Sequence, residues 1–218
     1  MISSITTASA ISLPSIDRFA APALLVVDMQ NDFVRAGAPL EVPDARATID
    51  AHRALLGLFH DRGWPVVYTK FLSTEEPSLL WLWSQVCAPP VDMCRKGVSR
   101  HYDDAQGSRE CTDIIDELRP RAHDLIIEKY GYGAFHGTSL SDRLRQMGVA
   151  SLIVTGTVTQ VCVEDTARQA FHHGFPTTLV SDAVSSFAPD LHAATLKNFA
   201  MKFGWVETTA DIMRQLDR

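Results

Sequence analysis

An open, mostly parallel α/β sheet with helices on both faces is predicted by two features of this 218-residue sequence. Short, nearly continuous apolar runs rich in Val, Ile and Leu recur along it, which is how parallel strands covered on both faces read. Helical patterns closed by glycine fall between them, and that alternation implies right-handed βαβ crossovers.

The strand-like runs are ALLVVDM (23–29), PVVYTK (65–70), DLIIEK (124–129), SLIVTG (151–156) and TTLVSD (177–182), with a shorter one, GWVETT, at 204–209. The first helix is expected over 44–63, with Asp44 near its start and Gly63 at its end. Others are expected over 139–148 (Ser139 to Gly148), 161–174 (ending on Gly174) and 190–204. The stretch 71–123 breaks the rhythm: it carries Pro77, Trp81, Trp83, Pro89 and Pro90 and is expected to hold short helices such as CTDIIDELRP (111–120). On the strand-end side such an insertion is a natural wall or cover for a substrate; on the far face it would be a packing excursion. Residues 1–20, rich in Ser and Thr with no basic start and no long apolar stretch, read as a lead-in and not as a secretory signal. Residues 21–218 read as one domain without repeats, low-complexity tracts or linkers.

Composition narrows the function. Apolar residues make up 46% and charged residues 21%, ordinary for a soluble globular protein. A net charge of −6 and a pI near 5.7 argue against a general nucleic-acid binder. No run approaches the roughly 18–20 apolar residues that cross a bilayer. Cys87, Cys94, Cys111 and Cys162 form no CxxC pair and have no His at zinc-finger spacing. Free thiols in a cytoplasmic protein are the expectation.

Three of the apolar runs deliver ionisable residues at or just past their ends: Asp28, Lys129 and, in the turn GTVTQVC, Cys162. Ligands of open parallel sheets bind outside the carboxyl ends of the strands, so a carboxylate, an ammonium and a thiol converge if those strands are neighbours. A free thiol is mostly protonated at neutral pH, and only the thiolate attacks carbon efficiently. A helix N-terminus at Cys162 and a nearby Lys129 would favour the thiolate, while Asp28 could take and return its proton. The competing structural readings are an inert cysteine at a strand–helix junction, an Asp that caps a turn or binds a metal, and a solvated lysine. The turn also suits an oxyanion site built from successive backbone N–H groups.

These blocks (LLVVDMQNDF, EKYGYGAFHGTSL, VTGTVTQVCVEDTARQAF and GFPTTLVSDAVSSF) resemble the cysteine hydrolases of the isochorismatase-like superfamily, and the match runs over most of the chain. The resemblance implies a three-layer, Rossmann-like α/β/α fold around a six-stranded parallel sheet and an Asp28–Lys129–Cys162 triad. It also implies a cis Thr157–Val158 bond, oxyanion donors at the Val158 and Cys162 N–H groups, and a homodimer or homotetramer.

The region after the second strand, YTKFLSTEEPSLLW, contains no His, which argues against a metal-dependent nicotinamidase. No metal or other cofactor is expected. Retention of the thiol favours cleavage of an amide, carbamoyl or ureido C–N bond in a small molecule. The rivals are an isochorismatase-type enol-ether hydrolase, in which Cys162 is incidental, and a non-catalytic metabolite-binding scaffold. Candidates for the substrate pocket are Gln30, Phe33, Trp81, Tyr130, Tyr132 and Phe135; a carboxylate clamp could come from Lys70, Arg95, Lys96 or Arg100. His136, His172 and His173 are read as non-catalytic.

Overall fold

The computed structural model describes residues 16–217, so most of the lead-in expected over 1–20 lies outside the described residues. In chain order the strands are β1 (Pro22–Val27), β2 (Val66–Phe71), β3 (Ser99–His101), β4 (Ser108–Glu110), β5 (Leu125–Lys129), β6 (Ser151–Thr157), β7 (Thr177–Ser185) and β8 (Trp205–Glu207). The helices are α1 (Asn31–Val34), α2 (Ile49–Asp61), α3 (Leu79–Trp83), α4 (Leu140–Gln146), α5 (Glu164–His172), α6 (Pro189–Lys202) and α7 (Thr209–Leu216). Six strands form one parallel sheet in the order β5-β2-β1-β6-β7-β8, and β3 and β4 form a separate antiparallel hairpin. The expected six-stranded α/β architecture is what the chain adopts.

Alternation of side chains along buried strands builds the three layers. Leu24 and Val26 of β1 enter one apolar cluster with Leu55 and Phe59 of α2 and Ile212 of α7. Their neighbours Leu25 and Val27 enter the other, with Leu144 of α4, Ala167 of α5 and Phe199 of α6. Each fully buried Leu or Val stabilises the fold by about 1.5–3 kcal/mol. Because β1 is central and buried throughout, it needs apolar residues on both faces, which explains its uninterrupted apolar run.

After β1 the chain moves outward through β2 to β5, then β6 returns to the other side of β1. The crevice at that reversal lies beyond the ends of β1 and β6, where Asp28 and the Cys162 turn sit. Gly156, at φ +114°, makes that close pairing possible: a Cβ there would lie 2.0 Å from the Val27 carbonyl oxygen. The first long helix ends as expected, with Gly63 at φ +64° just past it.

Several elements differ from expectation, among them the helix expected over 44–63, which opens as a 3-10 turn at Pro43–Thr48 and is α-helical only from Ile49. Residues 111–120 form no α-helix; only a 3-10 turn at Asp116–Leu118 appears. Their backbone instead pairs with the chain leaving β1, through Asp32 N to Cys111 O, Asn31 N to Asp113 O and Ile115 N to Met29 O at 2.9–3.2 Å. The helix expected from 161 begins as a π-helical turn at Thr159–Val163 before continuing as α5. The last helix, α7, was not anticipated; the Thr208 side chain caps it by accepting from Asp211 N.

His52, on α2 and fully buried, couples this core to pH. Its Nδ1 lies 2.8 Å from the Thr48 carbonyl oxygen, so that nitrogen carries the proton, and Nε2 has no partner. Burial pulls the ring down to about 4, against the raising effects of the Thr48 carbonyl and Asp182. The unfolded chain, with His near 6.5, therefore binds the proton first; stability is full above pH 6.5 and falls as pH drops toward 4. The loss from this residue is about 3 kcal/mol. Urea midpoints measured between pH 7 and pH 4 should fall less steeply for His52→Leu than for the unsubstituted protein.

Candidate active site

Asp28 follows β1 with φ +50°, a left-handed conformation that Asp tolerates better than most residues, and its side chain is fully buried. Thr69 of β2 orients it: the Thr69 hydroxyl donates to Asp28 Oδ1 at 2.6 Å and lies 3.2 Å from the Asp28 N–H. Oδ2 sits 2.7 Å from Lys129 Nζ, yet no hydrogen bond of acceptable angle reaches it.

Lys129 ends β5, which is two strands from β1. At about 4.8 Å per strand that gap is nearly 10 Å, and the long lysine stem helps to span it. The ammonium is fully buried and donates to the carbonyls of Gly131 (3.1 Å) and Tyr132 (2.8 Å). That leaves one N–H for Asp28 and Cys162. Burial alone would pull Lys129 down, but Asp28 and then Cys162 outweigh it and hold it above the ordinary lysine value.

Cys162 sits in the π-helical turn, 3% exposed, with Lys129 and Asp28 as the charged groups that act on its thiol. Burial pushes the thiol up; Lys129 opposes this, while Asp28 adds to it, and the net direction is upward. Desolvation thus works against the thiolate that the helix start and the lysine were expected to favour. The Thr157–Val158 bond before this turn is cis.

A cavity of about 430 Å³ opens on Cys162 and Val158. Such a volume suits a small molecule. Of the pocket candidates, Phe33 and Tyr132 line it. Gln30 does not: its buried amide accepts from Phe71 N and donates to the Phe71 and Thr112 carbonyls, clamping the insertion to β2. Tyr130 is 56% exposed, and Phe135 packs in the core against His173 and Phe175. Trp81 also turns away, against the Arg95 guanidinium, and Trp83 lines the cavity in its place. Residues two apart on α3 cannot share a face, so the choice between the two tryptophans needed the helix register.

The insertion supplies much of the wall, with Trp83, Ser84, Gln85, Val86 and Cys87, and it lies on the strand-end side. The Tyr132 hydroxyl, 3.3 Å from Ser84 Oγ, ties it to the loop after β5. Buried Asp32 braces it from below by accepting from Cys94 N, Arg100 Nε and the Tyr102 hydroxyl at 2.6–3.0 Å. Leu40 and Phe187 of the wall, and Thr69 behind Asp28, had no signal in the sequence beyond their neighbourhood.

None of the four clamp candidates lines the cavity. Lys70 pairs with Asp113, Arg95 with Asp92, Lys96 with Glu128 and Arg100 with Asp32, at 2.6–3.0 Å. His136, His172 and His173 are exposed and do not line the cavity. Among the described residues, His60, His123 and Asp124 bring possible metal ligands within 4.8 Å of one another, at the opposite, amino end of β5. His60 and Asp124 already satisfy each other at 3.0 Å. No described helix is long and apolar enough to cross a membrane.

Comparison with known proteins agrees with this geometry. The isochorismatase domain matches residues 22–211. The chain is 30% identical to the ureidoacrylate amidohydrolase RutB of Agrobacterium fabrum over 204 residues, covering 87% of each chain. It is 31% identical to nicotinamidase 3 of Arabidopsis thaliana, covering 89% of this chain and 88% of that one. The structure of a cysteine hydrolase from Pseudomonas syringae pv. phaseolicola 1448A superposes with a TM-score of 0.79 at 26% identity, covering 95% of this chain and 99% of that one. With a domain match spanning nearly the whole described chain, this protein belongs to the isochorismatase family.

Proposed function

We propose that the protein is a cysteine-dependent amidohydrolase that cleaves the C–N bond of a small amide, carbamoyl or ureido compound through a thioester. One observation carries the reading: a cysteine lining a cavity of small-molecule size lies in the field of a buried carboxylate–ammonium pair. The names of relatives that act on ureidoacrylate and nicotinamide place amide cleavage within the family.

In the proposed sequence Asp28 Oδ2, which accepts no other well-angled hydrogen bond, takes the Cys162 proton as the sulfur attacks the substrate carbonyl carbon. The C–S bond forms as the carbonyl π electrons move to oxygen, where the N–H groups of Val158 and Cys162 are the proposed donors. Collapse re-forms the carbonyl and breaks the C–N bond, with the leaving nitrogen taking the proton from Asp28. Water then adds to the thioester, losing a proton to Asp28; sulfur departs and recovers that proton as thiol, releasing the acid. Lys129 keeps positive charge beside the sulfur throughout, which offsets the desolvation that otherwise holds the thiol neutral.

Cys162→Ala and Cys162→Ser should fold with unchanged melting behaviour and lose at least about 10³-fold in kcat, read by ammonia release. Turnover that survives in either variant would rule out sulfur as the nucleophile. Lys129→Met should destabilise the fold by about 3–5 kcal/mol in urea unfolding, because it leaves a buried carboxylate without its partner. The double variant Asp28→Asn/Lys129→Met should recover part of that loss. If it is no more stable than Lys129→Met alone, the ion pair is not what the lysine contributes.

A further inference from the structure

We infer that this enzyme is built for an uncharged amide with an aromatic or branched apolar body, and that it discriminates against amides carrying a second, anionic group. This rests on the amidohydrolase reading above and specifies the substrate class of that site.

The cavity wall is the first observation. Its side chains are apolar, aromatic or uncharged: the polar ones are Ser84, Gln85, the Tyr132 hydroxyl and the thiols of Cys87 and Cys162. Among the described residues, no Lys, Arg or His lines it. Phe33, Phe71, Tyr132 and Trp83 surround it with flat rings, and Phe71 and Tyr132 lie nearly parallel at 23° with centroids 6.4 Å apart. A planar apolar ligand body matches such a lining.

The second observation is that the neighbouring cations are already engaged. Lys129 lies behind the wall, fully buried and 2.7 Å from Asp28, so the pair presents no net charge to a ligand. Arg95 acts on Cys87 but is held 2.8 Å from Asp92. Arg100 is committed to buried Asp32 and to the Asp92 carbonyl at 2.9 Å. Lys70 and Lys96 pair with Asp113 and Glu128 elsewhere. A carboxylate entering this cavity would shed water and gain no cation in exchange, which is strongly unfavourable. Ureidoacrylate, by its chemistry, carries such a carboxylate; the nearly neutral wall here suits a different member of the amide class.

The probes are 4-methylbenzamide and 4-carbamoylbenzoate, similar in size and different in charge. Binding is measured by calorimetry on Cys162→Ala, and turnover by ammonia release from the unsubstituted enzyme. The neutral amide should bind and turn over at least about 100-fold better than the anion. Gln85→Arg, which adds a cation to an exposed part of the wall, should narrow that ratio. Equal or better binding of the anion to Cys162→Ala overturns the inference and leaves the amidohydrolase reading intact. So does failure of both probes to bind while a carboxylated amide is hydrolysed in a Cys162-dependent way. If the neutral amide binds Cys162→Ala but the unsubstituted enzyme leaves it intact, the neutral-cavity inference stands and the catalytic reading falls.

Discussion

The buried contact between Lys129 and Asp28 is the constraint around which the site is arranged. Neither side chain has any exposure, and taking both ions out of water costs several kcal/mol each before their attraction is counted. Such a pair persists only where hydrogen bonds satisfy what the partner does not. Here the carbonyls of Gly131 and Tyr132 take two ammonium N–H groups, and Thr69 takes one carboxylate oxygen. Those partners come from the loop after β5 and from β2, so the pair fastens β1, β2 and β5 at one edge. Lys129 also lies 5.4 Å from the centroid of Phe71, a ring of the cavity wall. Positioning of the ion pair and shaping of the cavity are therefore one problem, solved by the same three strands.

The state of the sulfur follows from that arrangement. A cation next to a thiol is the usual route to a thiolate, but this cation is shared with a carboxylate at 2.7 Å, and the whole assembly is desolvated. The attraction of Lys129 for a sulfur anion is opposed by burial and by Asp28, which together hold the thiol above its ordinary value. For the proposed chemistry this means deprotonation coupled to attack: the anion need exist only as charge passes onto the substrate oxygen.

Most of the frame was legible because parallel strands buried on both faces leave a dense apolar signature, and because three such runs deliver Asp28, Lys129 and Cys162 to one edge. The remainder turned on long-range partners that periodicity does not encode. Residues 111–115 form no helix because Asn31, Asp32 and Met29 occupy their backbone groups, and nothing local to CTDIIDELRP announces those partners. Gln30 has a side chain suited to touching a ligand, yet the insertion claims its amide. Trp81 and Trp83 differ only in helix face, so composition marked the segment but not the residue that reaches the cavity. The surroundings of Cys162 were only partly legible for a related reason: position predicts a helix start and a neighbouring lysine, but not how completely water is excluded.

The apolar wall and the ionic pair behind it are complementary parts of one electrostatic design. In a water-poor site, fixed charges act with little screening, so any additional cation in the cavity would compete for Asp28 or shift the thiol toward its anion at rest. The insertion brings Arg95 and Arg100 close to this region and sends both to carboxylates, Asp92 and Asp32, on its own scaffold or the α1 helix. Their charge thus braces the wall without facing the ligand. The wall offers rings, the thiols of Cys87 and Cys162 and the uncharged Ser84, Gln85 and Tyr132 groups, with the ion pair behind it. A neutral amide can occupy that space without disturbing the balance between Lys129, Asp28 and Cys162. An anion would set a second negative charge near Asp28 and the sulfur, with Lys129 already paired and no other cation on the wall to receive it.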